Sequence, residues 1–286
     1  MLASFPLSVF FGVKTMQFCL ISDVHVDFGG WDPDILAHVP RDMPIVVAGD
    51  IHNDVDHACA WLTELRGSFD HVAWVPGNHD FYNMGFHTTR LYTPGSPPSP
   101  RTVQDIYGFY QEFSDRGDIV FLHHKTWVHQ GMRFVGSTGW HNFQAGVPYT
   151  RSQQVQCYVD NMSDARYITW AGSDPIREIE TSALADAIYI ENQVNASVEP
   201  VVVVTHHVPH AHLLNHKPHN PLWTQLNGSF ANTHLQHISH KKIQAWCFGH
   251  THERQDRVID GCRYINNARG YPRENSRWQP VIIDVG

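Results

Sequence analysis

Five short motifs in this 286-residue chain carry side chains suited to holding metal ions: Asp23-Val24-His25, Gly49-Asp50, Gly77-Asn78-His79-Asp80, His206-His207 and Gly249-His250-Thr251-His252. Imidazole, carboxylate and amide oxygen, with no thiolate among them, suit borderline ions such as Mn²⁺, Fe²⁺ or Zn²⁺ rather than a soft metal or Ca²⁺. Asp-x-His and His-x-His place two ligands on one side of an extended segment, because side-chain direction there repeats every second residue. Such a pair grips one ion or straddles two. Asp23, His25, Asp50, Asn78, His206, His250 and His252 are together too many ligands for one ion and suit two that share a bridge. The glycines before Asp50, Asn78 and His250 fit a backbone that turns sharply beside a crowded site. Taken singly, each motif has a plain alternative. Asn and Asp are ordinary turn residues, and 22 histidines make a chance His-x-His easy. Their joint occurrence, each directly after a strand-like run, points to a metal site.

Those runs belong to an α/β rhythm. Strands are expected at 16–21, 45–48, 71–75, 119–122, 133–135, 201–205, 245–248, 257–259, 262–265 and 281–285. The run Val201-Val202-Val203-Val204 is apolar without alternation, as in a strand buried on both faces. Residues 174–194 read as a helix capped by Asp174, with Pro175 in its first turn and Ile176, Ile179, Ala183, Ala187, Ile190 and Val194 at helical spacing. Residues 102–113 read as a second helix burying Phe109, Tyr110 and Phe113. The Pro- and Ser-rich stretch 92–100 reads as an exposed loop. Strand signals vanish over 141–198 and helix replaces them, which implies an inserted helical cap. In an open α/β sheet, ligands gather at the carboxyl ends of the strands, where all five motifs fall.

Composition narrows the class. Twenty Lys+Arg against 28 Asp+Glu give a net charge of −8, and no basic run exceeds Lys241–Lys242, so the balance argues against a nucleic-acid partner. Five scattered cysteines without CxxC spacing argue against a disulfide framework or a cysteine zinc site, and favour a reducing, cytoplasmic setting. Residues 1–15 are apolar but lack a basic n-region and a cleavage site, and are too short to span a bilayer. They read as a dispensable extension before Met16, with a weak export signal as the alternative.

The ordered set Asp-x-His, Gly-Asp, Gly-Asn-His-Asp, His, Gly-His-x-His from Asp23 to His252 resembles the calcineurin-like metallophosphoesterase family. The resemblance implies a four-layer α/β/β/α sandwich over 16–286, with the helical insert at 141–198 and a dinuclear metal centre on the strand rim. It implies that Asp23, His25 and His252 bind one metal, Asn78, His206 and His250 the other, and that Asp50 bridges both. His79 would stand just outside the metals and meet the leaving-group oxygen, as general acid or as a neutral donor, or a phosphoryl oxygen. The reaction implied is hydrolysis of a phosphoester by a hydroxide shared between the two metals. Two positions depart from the pattern. Asn53 stands where many members carry the Asp that orients the histidine, with Asp54 next to it. The fourth block offers both His206 and His207, of which His206, the first past the strand, is the expected ligand. Gly136–Trp140, 161–166 and 267–271 further resemble an uncharacterised bacterial subgroup.

Around this set the alternatives stay open. His207, His210, His212, His216 and His219 form a phosphate-attracting lip, a weak third metal site or, the favoured reading, a solvated loop. Arg166 and Arg269 read as bidentate phosphate donors or as surface arginines. Tyr271 and Trp140 read as stacking groups or as packing. The leading function is a metal-dependent phosphoesterase acting on a small phosphorylated substrate, diester ahead of monoester, with no membrane partner. A DNA nuclease of the same fold and a non-catalytic protein-binding scaffold are the rivals.

Overall fold

The computed structural model describes residues 15–82, 102–214 and 220–286; expectations for 1–14, the 92–100 loop, His216 and His219 lie outside them. One sheet contains β1 (Met16–Ile21), β2 (Ile45–Ala48), β3 (Val72–Val75), β4 (Val120–Phe121) and β11 (Val281–Val285), in the order β11-β1-β2-β3-β4. The other contains β5 (Lys125–His129), β6 (Met132–Gly136), β7 (Val201–Val204), β8 (Ile243–Phe248), β9 (Gln255–Ile259) and β10 (Cys262–Asn266), in the order β5-β6-β7-β8-β10-β9. The helices are α1 (Val55–Ser68), α2 (Val103–Gly117), α3 (Arg151–Asn161), α4 (Asp164–Tyr167), α5 (Pro175–Ala196) and α6 (Pro221–Leu226).

Burial explains the strand sequences. Val202 and Val204 of β7 meet Phe18, Leu20, Val46 and Phe134 between the sheets. Val201 and Val203 point the other way, onto Ala187, Ile190 and Val194 of α5. A strand with both faces covered needs no polar alternation, hence four consecutive valines. β1 divides in the same manner: Phe18 and Leu20 face the second sheet, while Cys19 and Ile21 join the layer built with Val55, Ala58 and Leu62 of α1 and Val103, Ile106 and Tyr110 of α2. The result is two sheets flanked by helices, the expected α/β/β/α layering.

Asp174 caps α5 by accepting the Arg177 N–H, and Pro175 occupies its first turn. The stretch 141–198 is helical but divides in two. α5 is an outer layer of the sandwich, because Ile179, Ala183, Ala187, Ile190 and Val194 all face the core. The preceding piece, α3 with α4, packs on α6 and reaches the strand rim. α2 runs past residue 113 to Gly117, started by a capping box between Thr102 and Asp105. β5 is absent from the expected strands. It is an edge strand of mixed exposure, joined to β6 by Gln130 and Gly131 at φ 49 and 82, and it offers neither an apolar run nor clean alternation. All five cysteines are buried and free. Among the described residues no helix is long and apolar enough to cross a membrane.

Candidate metal centre

β1, β2 and β3 run parallel, as do β6, β7 and β8, so within each sheet their carboxyl ends share an edge. Backbone bonds tie neighbouring strand ends within each sheet, Gly249 N–H to His206 O and Asp23 N–H to Gly49 O, both at 2.9 Å, and His250 N–H, donating to Asp23 Oδ1 at 2.8 Å, joins the two edges. Here one expectation is corrected. Asp23, His25, Asp50, His250 and His252 are not extended but left-handed, at φ 50, 41, 56, 72 and 51. Such a conformation is uncommon for residues with a Cβ and persists where the surroundings over-determine it. The paired ligands converge because the chain curls around the site, not because side chains alternate along a strand. Space is equally constrained. A Cβ on Gly77 would strike the Asp50 carboxylate and come within 2.7 Å of His206 Cε1.

Two ligand groups result, Asp23–His25–Asp50–His252 and Asp50–His206–His250, with Asp50 in both. Asp50 Oδ2 lies 3.6 Å from His25 Nε2 and 3.3 Å from His206 Nε2, one histidine of each group. His252 Nε2 is 3.5 Å from Asp23 Oδ1 and 3.0 Å from His25 Nε2. Asn78 Oδ1 joins the second group at 2.9 Å from His206 Nε2. These residues fit a pair of ions. The His25 and His252 rings are inclined at 66°, as are those of His206 and His250, so each pair can turn two nitrogens toward one point. Two nitrogens bound at right angles at about 2.1 Å would stand about 3.0 Å apart. A third grouping, His123–His124–Asp186, fails the same test. Its imidazoles are stacked at 4.4 Å and 11°, so their lone pairs run side by side and never meet on one ion.

Electrostatics agree with a cation-binding role. Burial works to raise the Asp50 carboxyl, but the imidazoles of His206, His79 and His25 overcome it and hold Asp50 well below the usual range. Asp23 is pushed up by burial, opposed by His206 and His252. Burial drives His25 and His250 well below the ordinary imidazole value, leaving neutral rings. His206 is raised to about 9, against burial, by Asp50. A proton on His206 thus occupies the place of positive charge beside Asp50, which a metal would take over with release of that proton.

His79 sits at the edge of the cluster. Its N–H donates to Asp50 Oδ1 at 2.9 Å, its Nδ1 is 2.7 Å from Asn53 Oδ1, and the Tyr271 hydroxyl is 3.1 Å from its Nε2. Asn53 therefore fills the orienting position. Asp54 turns away to cap α1 and pair with His57. His207 lies behind His206, its ring 4.4 Å from His250 and its Nε2 3.4 Å from His141, outside both ligand groups. Arg269 spends its guanidinium on backbone, donating to Val24 O and to Gly29 O at 2.8 Å, and so clamps the loop that carries His25. Arg166 is exposed and reaches Asp160 O, within its own segment, at 3.4 Å. Trp140 is fully buried, so the stacking reading is withdrawn for it, whereas Tyr271 lies 4.6 Å from the rings of both His25 and His252. His210 and His212 pack on each other at 4.9 Å, apart from the ligand groups.

Sequence reasoning missed three carboxylates. Asp80 accepts backbone N–H groups from Gly77, Asp50, Ile51 and His52 at 2.8–3.2 Å, tying the second and third ligand loops together. Asp164 accepts from Asn78 Nδ2, and Glu274 Oε2 lies 2.7 Å from His252 Nδ1. Asp80 and Asp164 fall inside the motifs, but nothing local distinguishes either from a turn or helix-start carboxylate.

A two-sheet sandwich whose strand rim holds two ligand groups around a shared carboxylate defines a metal-dependent phosphoesterase scaffold. The model of the calcineurin-like phosphoesterase family matches residues 16–254, and the chain belongs to that family. The family carries two divalent metals. An uncharacterized protein of Acanthamoeba polyphaga mimivirus is 25% identical over 251 residues, covering 84% of this chain and 83% of that one. The crystal structure of a phosphopantetheinyl hydrolase from Mycobacterium tuberculosis shares the fold, with a TM-score of 0.71 at 20% identity, covering 94% of this chain and 95% of that one.

Proposed function

We propose that the chain hydrolyses a small phosphodiester, ahead of a phosphomonoester, using two divalent ions drawn from Mn²⁺, Fe²⁺ or Zn²⁺. The observation that carries this reading is Asp50 Oδ2, poised between His25 and His206 and common to both ligand groups. Asp23, His25 and His252 would hold one ion, Asn78, His206 and His250 the other, and Asp50 both. Bound there, the ions would activate water at neutral pH and meet the phosphoryl charge. His79 has the leaving-group role. Asn53 engages Nδ1, so Nε2 faces the rim, from which a proton would pass to the departing oxygen. The Tyr271 hydroxyl lies 3.1 Å from the same nitrogen. The diester preference rests on charge. A monoester dianion asks for an extra cationic partner, and the Arg269 guanidinium already serves backbone carbonyls.

The test is a substrate panel on chelated protein reloaded with Mn²⁺, Fe²⁺, Zn²⁺, Co²⁺ or Ni²⁺. It compares bis(p-nitrophenyl) phosphate with p-nitrophenyl phosphate, and includes a phosphopantetheinyl ester because the mycobacterial neighbour is named for one. Higher kcat/KM on the diester is expected. Cleavage of plasmid DNA in Mn²⁺ would favour the nuclease reading, and no turnover with any metal would favour the scaffold. Within the site, His206→Ala should lower bound metal from two ions to one by elemental analysis, while His207→Ala keeps both. Equal loss in the two variants would contradict the assignment of His206.

A further inference from the structure

An amide has two nearly isosteric ends, so an asparagine that presents oxygen to a metal needs a partner to hold its NH₂ group elsewhere. Asn78 has such a partner 86 residues away: its Nδ2 donates to Asp164 Oδ1 at 2.9 Å, while its own Oδ1 faces His206 Nε2 at 2.9 Å. The Tyr82 hydroxyl donates to the same Asp164 oxygen. Asn78 and Asp164 are 2% and 1% exposed, so water neither screens nor replaces the bond. The other Asp164 oxygen is buried without a hydrogen-bond partner, a costly arrangement that packing alone does not call for. Burial pushes the Asp164 carboxyl up, opposed by the Tyr82 hydroxyl and His79.

We infer that Asp164 is the positioning residue for Asn78, and that through it the α3–α4 piece is part of the second metal position. This rests on the two-metal reading above. A carboxylate only accepts, so it selects the NH₂ end of Asn78 and leaves the oxygen for the ion. Partners of this kind tune affinity by orienting the ligand.

Equilibrium dialysis of the full chain against Mn²⁺, with elemental analysis, tests it without any activity measurement. Wild type should bind two ions, and Asp164→Ala should weaken the second by about 10–100-fold while sparing the first. Asp164→Asn, which keeps shape and can still accept through its amide oxygen, should recover part of that affinity. In an Asn78→Asp background, where both ends of the ligand are oxygens and no orientation needs choosing, Asp164→Ala should no longer weaken the second ion. Unchanged second-ion affinity in both Asp164 variants overturns the inference, as does an equal loss in the Asn78→Asp background. Fewer than two ions on the wild-type chain is a different failure, that of the two-metal reading itself.

Discussion

Asp50→Ala is expected to empty both metal positions and reduce kcat/KM by about 10³-fold or more, since metals at such sites supply several kcal/mol of transition-state stabilisation. Asp50 Oδ2 stands between His25 and His206, and Oδ1 accepts the His79 N–H, so one deletion opens both ligand groups and loosens the residue beside them. It also removes the main charge that raises His206. Elemental analysis reads the metal directly. A second measurement is thermal: a chelator should lower the Tm of wild type, whose ions stabilise only the folded state, and leave that of Asp50→Ala unchanged. If Asp50→Ala keeps one ion at wild-type affinity, the carboxylate is not shared.

His79→Ala should behave in the opposite way, retaining both ions while turnover falls by about 10²–10⁴-fold on substrates with alkoxide leaving groups. The leaving group is the diagnostic. p-Nitrophenolate departs without a proton, so for aryl esters the loss should shrink to about tenfold or less, consistent with a general-acid role. A loss of equal size for aryl and alkyl esters would assign His79 to binding the phosphoryl group instead. Asn53→Ala should follow the same leaving-group trend with a smaller effect, because it releases the Nδ1 hydrogen bond and lets the ring reorient.

The candidate ligand set was legible because metal chemistry restricts residue types and the strand-end position restricts their place. Asp23, Asp50 and His250 each follow a buried strand, and no packing demand calls for a carboxylate or imidazole there. Residues chosen for geometry alone were harder to read. Arg269 and Arg166 carry the right charge for phosphate, yet one clamps a backbone loop and the other stays within its own segment. Asp80 and Asp164 look like turn and helix-start residues, yet Asp50, Ile51 and His52 lie 28–30 positions from Asp80, and Asn78 and Tyr82 lie 82–86 from Asp164. The edge strand β5 was invisible for a related reason: with one side unpaired, it needs no apolar run.

From the residues alone came the α/β class, the fully buried strands and the candidate metal ligands, because burial and coordination both select residue type. Only the folded chain decided that His206 rather than His207 faces Asp50, that Asn53 rather than Asp54 meets His79, and that the ligands converge through left-handed backbone. Neighbouring residues of the same chemistry differ only in direction, and direction is set by the backbone turn and by carboxylates from distant segments, which no local pattern encodes.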